Sequence, residues 1–297
     1  MARLEQQFGV NMIARGNSVE LQGAELDVAA AAQALDDLYV RAQGGHEIDA
    51  QAVDAAVRMV RGGAEAKDGG FRGEDVALKT DRRVIMPRSP NQAEYLRALS
   101  AADLVFGLGP AGTGKTYLAV AAGVALLKQR KIERLILSRP AVEAGEKIGF
   151  LPGDIKEKVD PYLRPLYDAL QDTMEARRLQ RCMDEGTIEI APLAFMRGRT
   201  LAHAYVILDE AQNATSAQMK MFLTRLGEGS KMAVTGDPSQ VDLPQGATSG
   251  LAEAARLLGG IKNVQVCRFT LEDVVRHPLV SAILRAYDAA PTSKGRA

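Results

Sequence analysis

The residues best suited to bind a chemical group lie in a glycine-rich segment that reads GPAGTGKT and spans Gly109–Thr116. An apolar segment precedes it, and an Ala- and Leu-rich segment follows it. Glycines allow backbone N–H groups to turn inward, where these groups and the positive end of a following helix attract phosphate. In this context the pattern G-x-x-x-x-G-K-[ST] predicts a phosphate-binding loop. Its members are Gly109, Pro110, Ala111, Gly112, Thr113, Gly114, Lys115 and Thr116.

The last two residues of this loop have side chains suited to separate tasks. We expect the ammonium group of Lys115 to bridge the β- and γ-phosphates of a bound nucleotide. The hydroxyl group of Thr116 is expected to ligate Mg²⁺. The sequence contains no Asn-Lys-x-Asp segment of the kind that recognises guanine. ATP and Mg²⁺ are therefore the expected cofactors.

Two carboxylates directly follow a second apolar segment, Val206–Leu208. Asp209 is placed to hold the Mg²⁺ shell, and Glu210 can polarise an attacking water, because phosphoryl transfer needs positioning and charge rather than a covalent nucleophile. A solvated loop would also place acidic residues after a strand, but this pair occurs in the same chain as a phosphate-binding loop. We therefore expect Asp209 to bind the metal and Glu210 to be catalytic, which favours hydrolysis over phosphoryl transfer to a metabolite.

A third polar group ends the apolar segment 231–237 and includes Gly236, Asp237 and Gln240. Gln240 is a candidate catalytic residue that would report whether a γ-phosphate is present, while Gly236 and Pro238 shape the loop. Such a turn on its own usually has only a structural role. Beside the other two polar groups, we interpret it as part of the same site.

From about residue 84 onward, short apolar segments alternate with helical ones. The apolar segments are 103–109, 134–140, 187–193, 204–210, 231–237 and 263–269. Strands that are apolar throughout and separated by helices predict an α/β fold, with a parallel sheet covered by helices on both faces. Ligands of such sheets bind at the carboxyl ends of the strands, where all three polar groups would converge.

The chain before this region divides into two parts. Residues 1–62 contain two short strands around a turn and two amphipathic helices, the second capped by Asp49, and they predict a small α+β domain. Residues 63–83 are rich in glycine and charge and predict a flexible linker. The α/β core is then expected at 84–290, followed by a tail at 291–297.

Composition places few further limits on function. The 297 residues carry 37 basic and 37 acidic side chains, so the whole chain is not an electrostatic partner for nucleic acid, although local basic patches are compatible with this balance. Cys182 and Cys267 follow no metal-binding spacing, and the histidines, His46, His203 and His277, lie far apart and suggest no metal site. The sequence shows neither an apolar run long enough for a membrane span nor a secretory signal, so a cytoplasmic location is expected.

Together the three polar groups resemble the motifs of superfamily 1 helicases, and the residues between them resemble the PhoH-like ATPases more closely still. The matching stretches cover about residues 84–290 and include GPAGTGKTYLAVA, SRPAVEAGEKIGFLPGDIKEKVDPYLRPLYDAL, VILDEAQNAT and VTGDPSQVDLP. The resemblance implies a RecA-like P-loop NTPase core preceded by a KH-like N-terminal domain. Residues 1–62 lack the GXXG loop of a true KH module, which weighs against RNA binding by that domain.

The resemblance also implies an activity and partners. It implies Mg²⁺-dependent ATP hydrolysis coupled to the binding or remodelling of single-stranded RNA, in some members beside the endoribonuclease that matures ribosomal RNA. Gln92 falls where related ATPases place a glutamine that contacts adenine, so it is a candidate cofactor-binding residue; a role in the cap of the helix 92–100 is the alternative. A nucleotide-dependent assembly ATPase that recruits proteins without moving on RNA is the rival function, and a small-molecule kinase is a weaker third.

Fast phosphoryl transfer also needs a cation on the transition state, and paired-core helicases take it from their second core. Too little chain follows Thr116 for a second core of ordinary size. The cation is therefore expected from this same core or, in a homo-oligomer such as a hexameric ring, from a neighbouring copy. We prefer Arg276 as the catalytic arginine, with Arg139, Arg197 and Arg199 as alternatives.

Overall fold

The computed structural model of the protein describes residues 1–43, 45, 47–63, 76–140, 155–244, 246–275, 279–280 and 283, with the main chain alone over 155–161. The first part of the chain forms a unit of helices packed on a hairpin, which we call the N-terminal unit. Its elements are α1 (Ala2–Phe8), β1 (Asn11–Arg15), β2 (Ser18–Gln22), α2 (Glu25–Gln43) and α3 (Ala50–Gly63). Apolar side chains from all of its helices and from β1 form a core of their own.

The N-terminal unit has the helices and the hairpin that the sequence predicts. Helix α3 begins as expected, because the Asp49 carboxylate accepts a hydrogen bond from the Ala52 N–H at 2.7 Å. The sequence pattern does not predict α1, which is short and is anchored in the unit's core by Leu4 and Phe8. Within the described residues the sheet of this unit consists of β1 and β2 alone, so the likeness to a KH-like domain stays a prediction.

The segment predicted as a flexible linker, 63–83, needs correction where the structure describes it. It contains one strand of a short antiparallel pair, β3 (Leu78–Lys79) and β4 (Val84–Ile85). The turn between these strands is tied to the core, since the Asp81 N–H donates to the Thr173 carbonyl oxygen at 3.1 Å. Side chains of both strands also pack on the core. Residues 76–83 therefore belong to the core, while 64–75 lie outside the described residues.

The remaining elements form the core of the protein. Its strands are β5 (Leu104–Leu108), β6 (Arg134–Arg139), β7 (Ile188–Pro192), β8 (Ala204–Leu208), β9 (Lys231–Gly236) and β10 (Val264–Arg268). Its helices are α4 (Pro90–Ala101), α5 (Lys115–Lys128), α6 (Ile155–Thr173), α7 (Ala176–Asp184), α8 (Ser216–Leu223) and α9 (Gly250–Leu258). The strands form one parallel sheet in the order β10-β5-β9-β8-β6-β7. Every apolar segment singled out in the sequence is a strand of this sheet, so the predicted α/β fold is confirmed.

Helices cover both faces of the sheet because its strands are apolar on both sides. Along β6, Leu135 and Leu137 pack with α4, α5 and α6 in one buried cluster, whereas Ile136 packs with α8 and α9 in another. This alternation follows from the two-residue period of a strand. Two-sided burial leaves only the ends of the central strands accessible, so polar groups that act on a ligand must lie there.

Strand β9 lies between β5 and β8, and this order brings the three polar groups to one edge of the sheet. The Gly109 N–H, just after β5, donates to the Gly236 carbonyl oxygen at the end of β9, 3.1 Å away. The Asp209 N–H, just after β8, donates to the Ser138 carbonyl oxygen near the end of β6 at 2.9 Å. The loop and the acidic pair consequently face each other across the end of β9.

The described residues also bear on the expectations about membrane spans, cysteines and metal sites. No helix in the described part of the chain combines the length and the apolarity that crossing a bilayer requires. Cys182 and Cys267 are buried free thiols. Among the described residues, no three side chains of His, Cys, Asp or Glu are grouped so that they could hold a metal ion. His46 and His277 lie outside the described residues.

Candidate nucleotide-binding site

The loop between β5 and α5 depends on three glycines for its shape. Gly109, Gly112 and Gly114 have φ values of 145°, 84° and 82°, a region that residues with a Cβ rarely adopt. At Gly109 a Cβ would also lie 2.5 Å from the Phe269 carbonyl oxygen. Gly114 is the N-cap of α5, so the first backbone N–H groups of that helix lie at the loop. The loop therefore has the shape expected of a phosphate cradle.

Lys115 lies at the centre of this loop. Its ammonium group donates hydrogen bonds to the carbonyl oxygens of Gly109 and Pro110, at 2.6 and 2.7 Å, and to the Thr113 hydroxyl group at 3.3 Å. Only 7% of the residue is exposed. Burial lowers the pKa of the Lys115 ammonium group, and nearby carboxylates, of which Asp237 has the largest effect, oppose that shift. The side chain thus places a largely buried positive charge where the oxygens of a bound phosphate would lie.

Asp209 accepts side-chain hydrogen bonds from three neighbours. Its Oδ1 accepts from the hydroxyl groups of Thr116, at 2.5 Å, and Thr235, at 2.8 Å. Its Oδ2 accepts from Arg139 Nε at 2.8 Å. A hydroxyl group and a carboxylate this close together are hard oxygen donors of the kind that Mg²⁺ prefers. Thr116 and Asp209 therefore fit the predicted metal-binding pair in both chemistry and position.

Glu210 is held by two side chains and by an uncommon backbone conformation. Its Oε1 accepts a hydrogen bond from Arg139 Nη2 at 3.0 Å, and its Oε2 accepts one from Gln212 Nε2 at 2.5 Å. The backbone has φ 50° and ψ 39°, in the left-handed region. Residues in such conformations are maintained by the surrounding structure and cluster at functional sites. Both carboxylates of the acidic pair line one cavity together with the phosphate-binding loop.

This cavity, of about 260 Å³, joins the three polar groups and is called here the phosphate cavity. It is lined by the phosphate-binding loop, the acidic pair, Asp237 and Gln240. The Gln240 side chain is exposed, and its backbone N–H donates to the Asp237 carbonyl oxygen at 3.0 Å. Gln240 therefore lies at the open rim. The structure brings together the predicted catalytic residues Lys115, Glu210 and Gln240, while Arg276 lies outside the described residues.

Gln92 lies against the phosphate-binding loop, in the first turn of α4. Its Oε1 accepts a hydrogen bond from the Arg88 N–H at 2.7 Å, and its Nε2 donates to the Thr113 carbonyl oxygen at 2.9 Å. Its backbone N–H donates to the hydroxyl group of Ser89, the N-cap residue. Because both ends of the side-chain amide contact the main chain, Gln92 supports the loop in this structure. Its contact with adenine stays a prediction.

The candidate arginines differ in what they contact. The guanidinium group of Arg139 bonds both members of the acidic pair. Arg199 instead forms a bidentate ion pair with Glu189 on β7, at 2.6 and 2.7 Å, and Arg197 is exposed. Arg276, the preferred candidate, lies outside the described residues. Among those that the structure describes, Arg139 is thus the candidate in contact with the site.

Two further residues of the site are not among the predicted site residues. Thr235 is fully buried at the end of β9, where it bonds Asp209. Gln212 is also buried; its Oε1 accepts from the Asp237 N–H at 3.1 Å while its Nε2 donates to Glu210. Gln212 therefore ties the acidic pair to the loop after β9. Gln212 follows the acidic pair in the segment Asp209–Gln212, and Thr235 lies in the matching stretch VTGDPSQVDLP, so both lie within sequence patterns that resemble the family.

The P-loop nucleoside triphosphatases are defined by a glycine-rich loop between a parallel strand and a helix. The loop ends in a Lys-Thr pair, and an acidic pair lies at the same edge of the sheet. The described core has this arrangement, so the protein is a member of that class. The chain belongs to the PhoH family, because residues 84–288 match the family described as PhoH-like protein.

Relatives extend this assignment over nearly the whole chain. A PhoH-like protein of Bacillus subtilis (strain 168) is 51% identical over 285 residues, which cover 96% of this chain and 89% of that protein. Protein PhoH of Escherichia coli (strain K12) is 47% identical over 209 residues, or 70% of this chain and 59% of that protein. The SWI2/SNF2 ATPase core of Sulfolobus solfataricus, solved in complex with dsDNA, matches with a TM-score of 0.38 and 14% identity over 70% of this chain and 52% of that one.

Proposed function

We propose that the protein hydrolyses ATP with the help of Mg²⁺. The observation that carries this proposal is that Lys115, Thr116, Asp209 and Glu210, which follow two different strands, line one cavity. The loop amides and Lys115 offer hydrogen-bond donors and a positive charge to a triphosphate. Thr116 and Asp209 offer oxygen ligands to Mg²⁺, which when bound would neutralise charge on the phosphate oxygens.

Each residue of the site then has its own task in the reaction. Lys115 holds the β- and γ-phosphates against the loop amides. Glu210 orients a water molecule in line with the γ-phosphorus and accepts its proton as the bond to ADP breaks, so that ADP and inorganic phosphate are formed. Gln240, at the rim of the phosphate cavity, distinguishes ATP from ADP by contact with the γ-phosphate.

We assign the positive charge on the transition state to Arg139, because its guanidinium group lies at the acidic pair, 2.8 Å from Asp209 and 3.0 Å from Glu210. The alternative is Arg276, supplied by this core or by a neighbouring copy in a ring-shaped homo-oligomer. Supply by a neighbouring copy is tested by measuring turnover per subunit and molecular mass in solution over a range of protein concentrations, with and without ATP. An arginine supplied in trans requires turnover that rises as the oligomer forms, whereas Arg139 acts equally in a monomer.

The proposal is tested with Lys115→Ala and Glu210→Gln. Lys115→Ala removes the charge at the centre of the loop and is expected to weaken binding of a fluorescent ATP analogue by about tenfold or more, since a hydrogen bond to a charged group contributes roughly 1.5–3 kcal/mol. Glu210→Gln keeps the size of the side chain, so it should bind the analogue normally while releasing phosphate about 100-fold more slowly. A wild-type protein that neither binds nor hydrolyses Mg·ATP would overturn the proposal.

We extend the proposal to RNA, because the family resemblance implies work on single-stranded RNA, in some members beside the endoribonuclease that matures ribosomal RNA. The alternative is an assembly ATPase that recruits protein partners. ATP turnover measured with and without single-stranded RNA, at low and high salt, separates these functions. A several-fold stimulation that weakens with salt supports RNA, because phosphate contacts release counterions. An unchanged rate favours the assembly ATPase.

A further inference from the structure

A second cavity, of about 560 Å³, lies beside the phosphate cavity, between the core and the N-terminal unit. On the core side it is lined by Gln92 and Tyr117, and on the other side by α3, through Gln51 and Ala52. Tyr117 and two loop glycines line both cavities. A ligand bound to the phosphate-binding loop can therefore extend from one cavity into the other.

The N-terminal unit is attached to the core at the edge of this cavity. Arg58, on α3, donates from Nε to the Arg88 carbonyl oxygen at 3.0 Å, and the Arg88 side chain donates from Nη1 to Gln51 Oε1 at 3.0 Å. The contact is close at the end of α3 as well, since a Cβ at Gly62 would lie 2.6 Å from Pro90 Cγ. Helix α3 is thereby held as one wall of the cavity.

This attachment continues to the phosphate-binding loop through hydrogen bonds. Arg88, which holds α3, donates its backbone N–H to Gln92, and Gln92 donates to the Thr113 carbonyl oxygen. The side-chain amide of Gln92 is consequently used for support of the loop. Other residues around the cavity can therefore add contacts to a nucleotide base.

Tyr117 supplies the aromatic surface that such a contact needs. The residue follows the loop directly and is half-buried. Its hydroxyl group donates to Asp172 Oδ2 at 2.6 Å, and Asp172 is paired in turn with Arg83 at 2.7 Å. These bonds fix the ring at the junction of the two cavities. Aromatic rings stack on nucleobases regardless of the base sequence.

We propose that the base of the bound nucleotide occupies this cavity, between the Tyr117 ring and helix α3, so that the N-terminal unit forms part of the ATP site. The volume is within the range of roughly 300–1,000 Å³ that is usual for small-molecule sites. The inference rests on the proposed function, because the triphosphate must be held by the loop for the base to reach the cavity. It assigns the N-terminal unit a role in nucleotide binding that requires no contact with RNA.

The first test compares Mg·ATP with inorganic tripolyphosphate, which has no base. Tyr117→Ala is expected to weaken ATP binding by about tenfold, in line with the loss of one base–aromatic contact, and to leave tripolyphosphate binding unchanged. Tyr117→Phe keeps the ring and should lose much less affinity than Tyr117→Ala. The control is Tyr39→Ala, which removes an exposed tyrosine of α2. It should change the binding of neither Mg·ATP nor tripolyphosphate. Equal weakening of both ligands by Tyr117→Ala would overturn the inference, because the residue would then serve only the loop.

The second test needs no variant and so does not depend on the folding of one. An ATP analogue with a photoreactive azide on the adenine ring is bound to the wild-type protein, irradiated, and the labelled peptides are identified by mass spectrometry. Label on the peptide that contains residues 47–55, prevented by excess ATP, supports the inference. Label confined to the core overturns it while leaving the proposed function intact. Wild-type protein that binds neither tripolyphosphate nor the analogue removes the proposed function and the inference together.

Discussion

The guanidinium group of Arg139 donates hydrogen bonds to three different residues at the site. Its Nε and Nη2 donate to Asp209 and Glu210, and its Nη1 donates to the Tyr162 carbonyl oxygen at 2.7 Å. One guanidinium group thus contacts the expected metal-binding carboxylate, the expected catalytic carboxylate and the main chain of α6. Because a planar guanidinium group can serve several acceptors at fixed angles, a lysine cannot replace all of these contacts.

Substitution of Arg139 tests its assigned role. Arg139→Ala is expected to lower ATP turnover by about 100-fold or more, because catalytic arginines contribute roughly 10³–10⁵-fold to the rate. Arg139→Lys keeps the charge but not the geometry, so it should recover only part of that loss. Phosphate release and binding of a fluorescent ATP analogue are measured on the same preparations. Normal turnover in Arg139→Ala would show that a different cation serves the transition state.

In the unit formed by β5, the phosphate-binding loop and α5, the backbone conformation limits which residues the sequence can have. The loop leaves β5 at Gly109, where the φ of 145° and the nearby Phe269 carbonyl oxygen exclude a side chain. The Gly109 N–H also bonds the end of β9. The position of the loop relative to the acidic pair therefore depends on this residue.

Replacement of Gly109 by alanine is expected to disturb both stability and binding. Gly109→Ala should lower the free energy of unfolding by about 1–3 kcal/mol, because it combines backbone strain with a steric clash. It should also abolish binding of Mg·ATP. Gly260→Ala is the matched control, since a Cβ there meets no atom within 4 Å and the φ is ordinary. Urea unfolding and nucleotide titration are the measurements, and similar results for both variants would contradict the prediction.

Some elements could not be predicted because they form only against the rest of the molecule. Strands β3 and β4 have two residues each and lie in or beside a segment that is rich in glycine and charge. They are stabilised by the packing of Leu78 and Ile85 on the core rather than by their own sequence pattern. A local pattern therefore predicts a linker where tertiary contacts produce a hairpin.

Burial of ionisable groups predicts how the stability of the protein depends on pH. Burial raises the pKa of the Cys267 thiol to about 12, and burial together with the hydrogen bond to Asp172 raises the pKa of Tyr117 to about 12. In the unfolded chain these groups ionise near their ordinary pKa values of 9.0 and 10.0. Both groups thus keep their protons in the folded protein at a pH where the unfolded chain has lost them.

The free energy of unfolding is therefore expected to be unaffected by these two groups below about pH 9 and to fall as the pH rises from 9 to 12. Each group contributes a slope of up to about 1.4 kcal/mol per pH unit. Urea midpoints measured between pH 8 and pH 11 check the prediction. Cys267→Ala should reduce the loss of stability that begins near pH 9. A wild-type stability that rises between pH 8 and pH 11 would contradict the prediction.

The strands, the phosphate-binding loop and the acidic pair could be predicted because each is a contiguous segment with a recognisable pattern of apolar residues, glycines or carboxylates. The structure was needed to show that Arg139, Gln212 and Thr235 contact the acidic pair. It was also needed to show that the N-terminal unit forms a wall beside the loop. Those contacts depend on the order of strands in the sheet and on how the two parts of the chain pack, and both depend on residues far apart in the sequence.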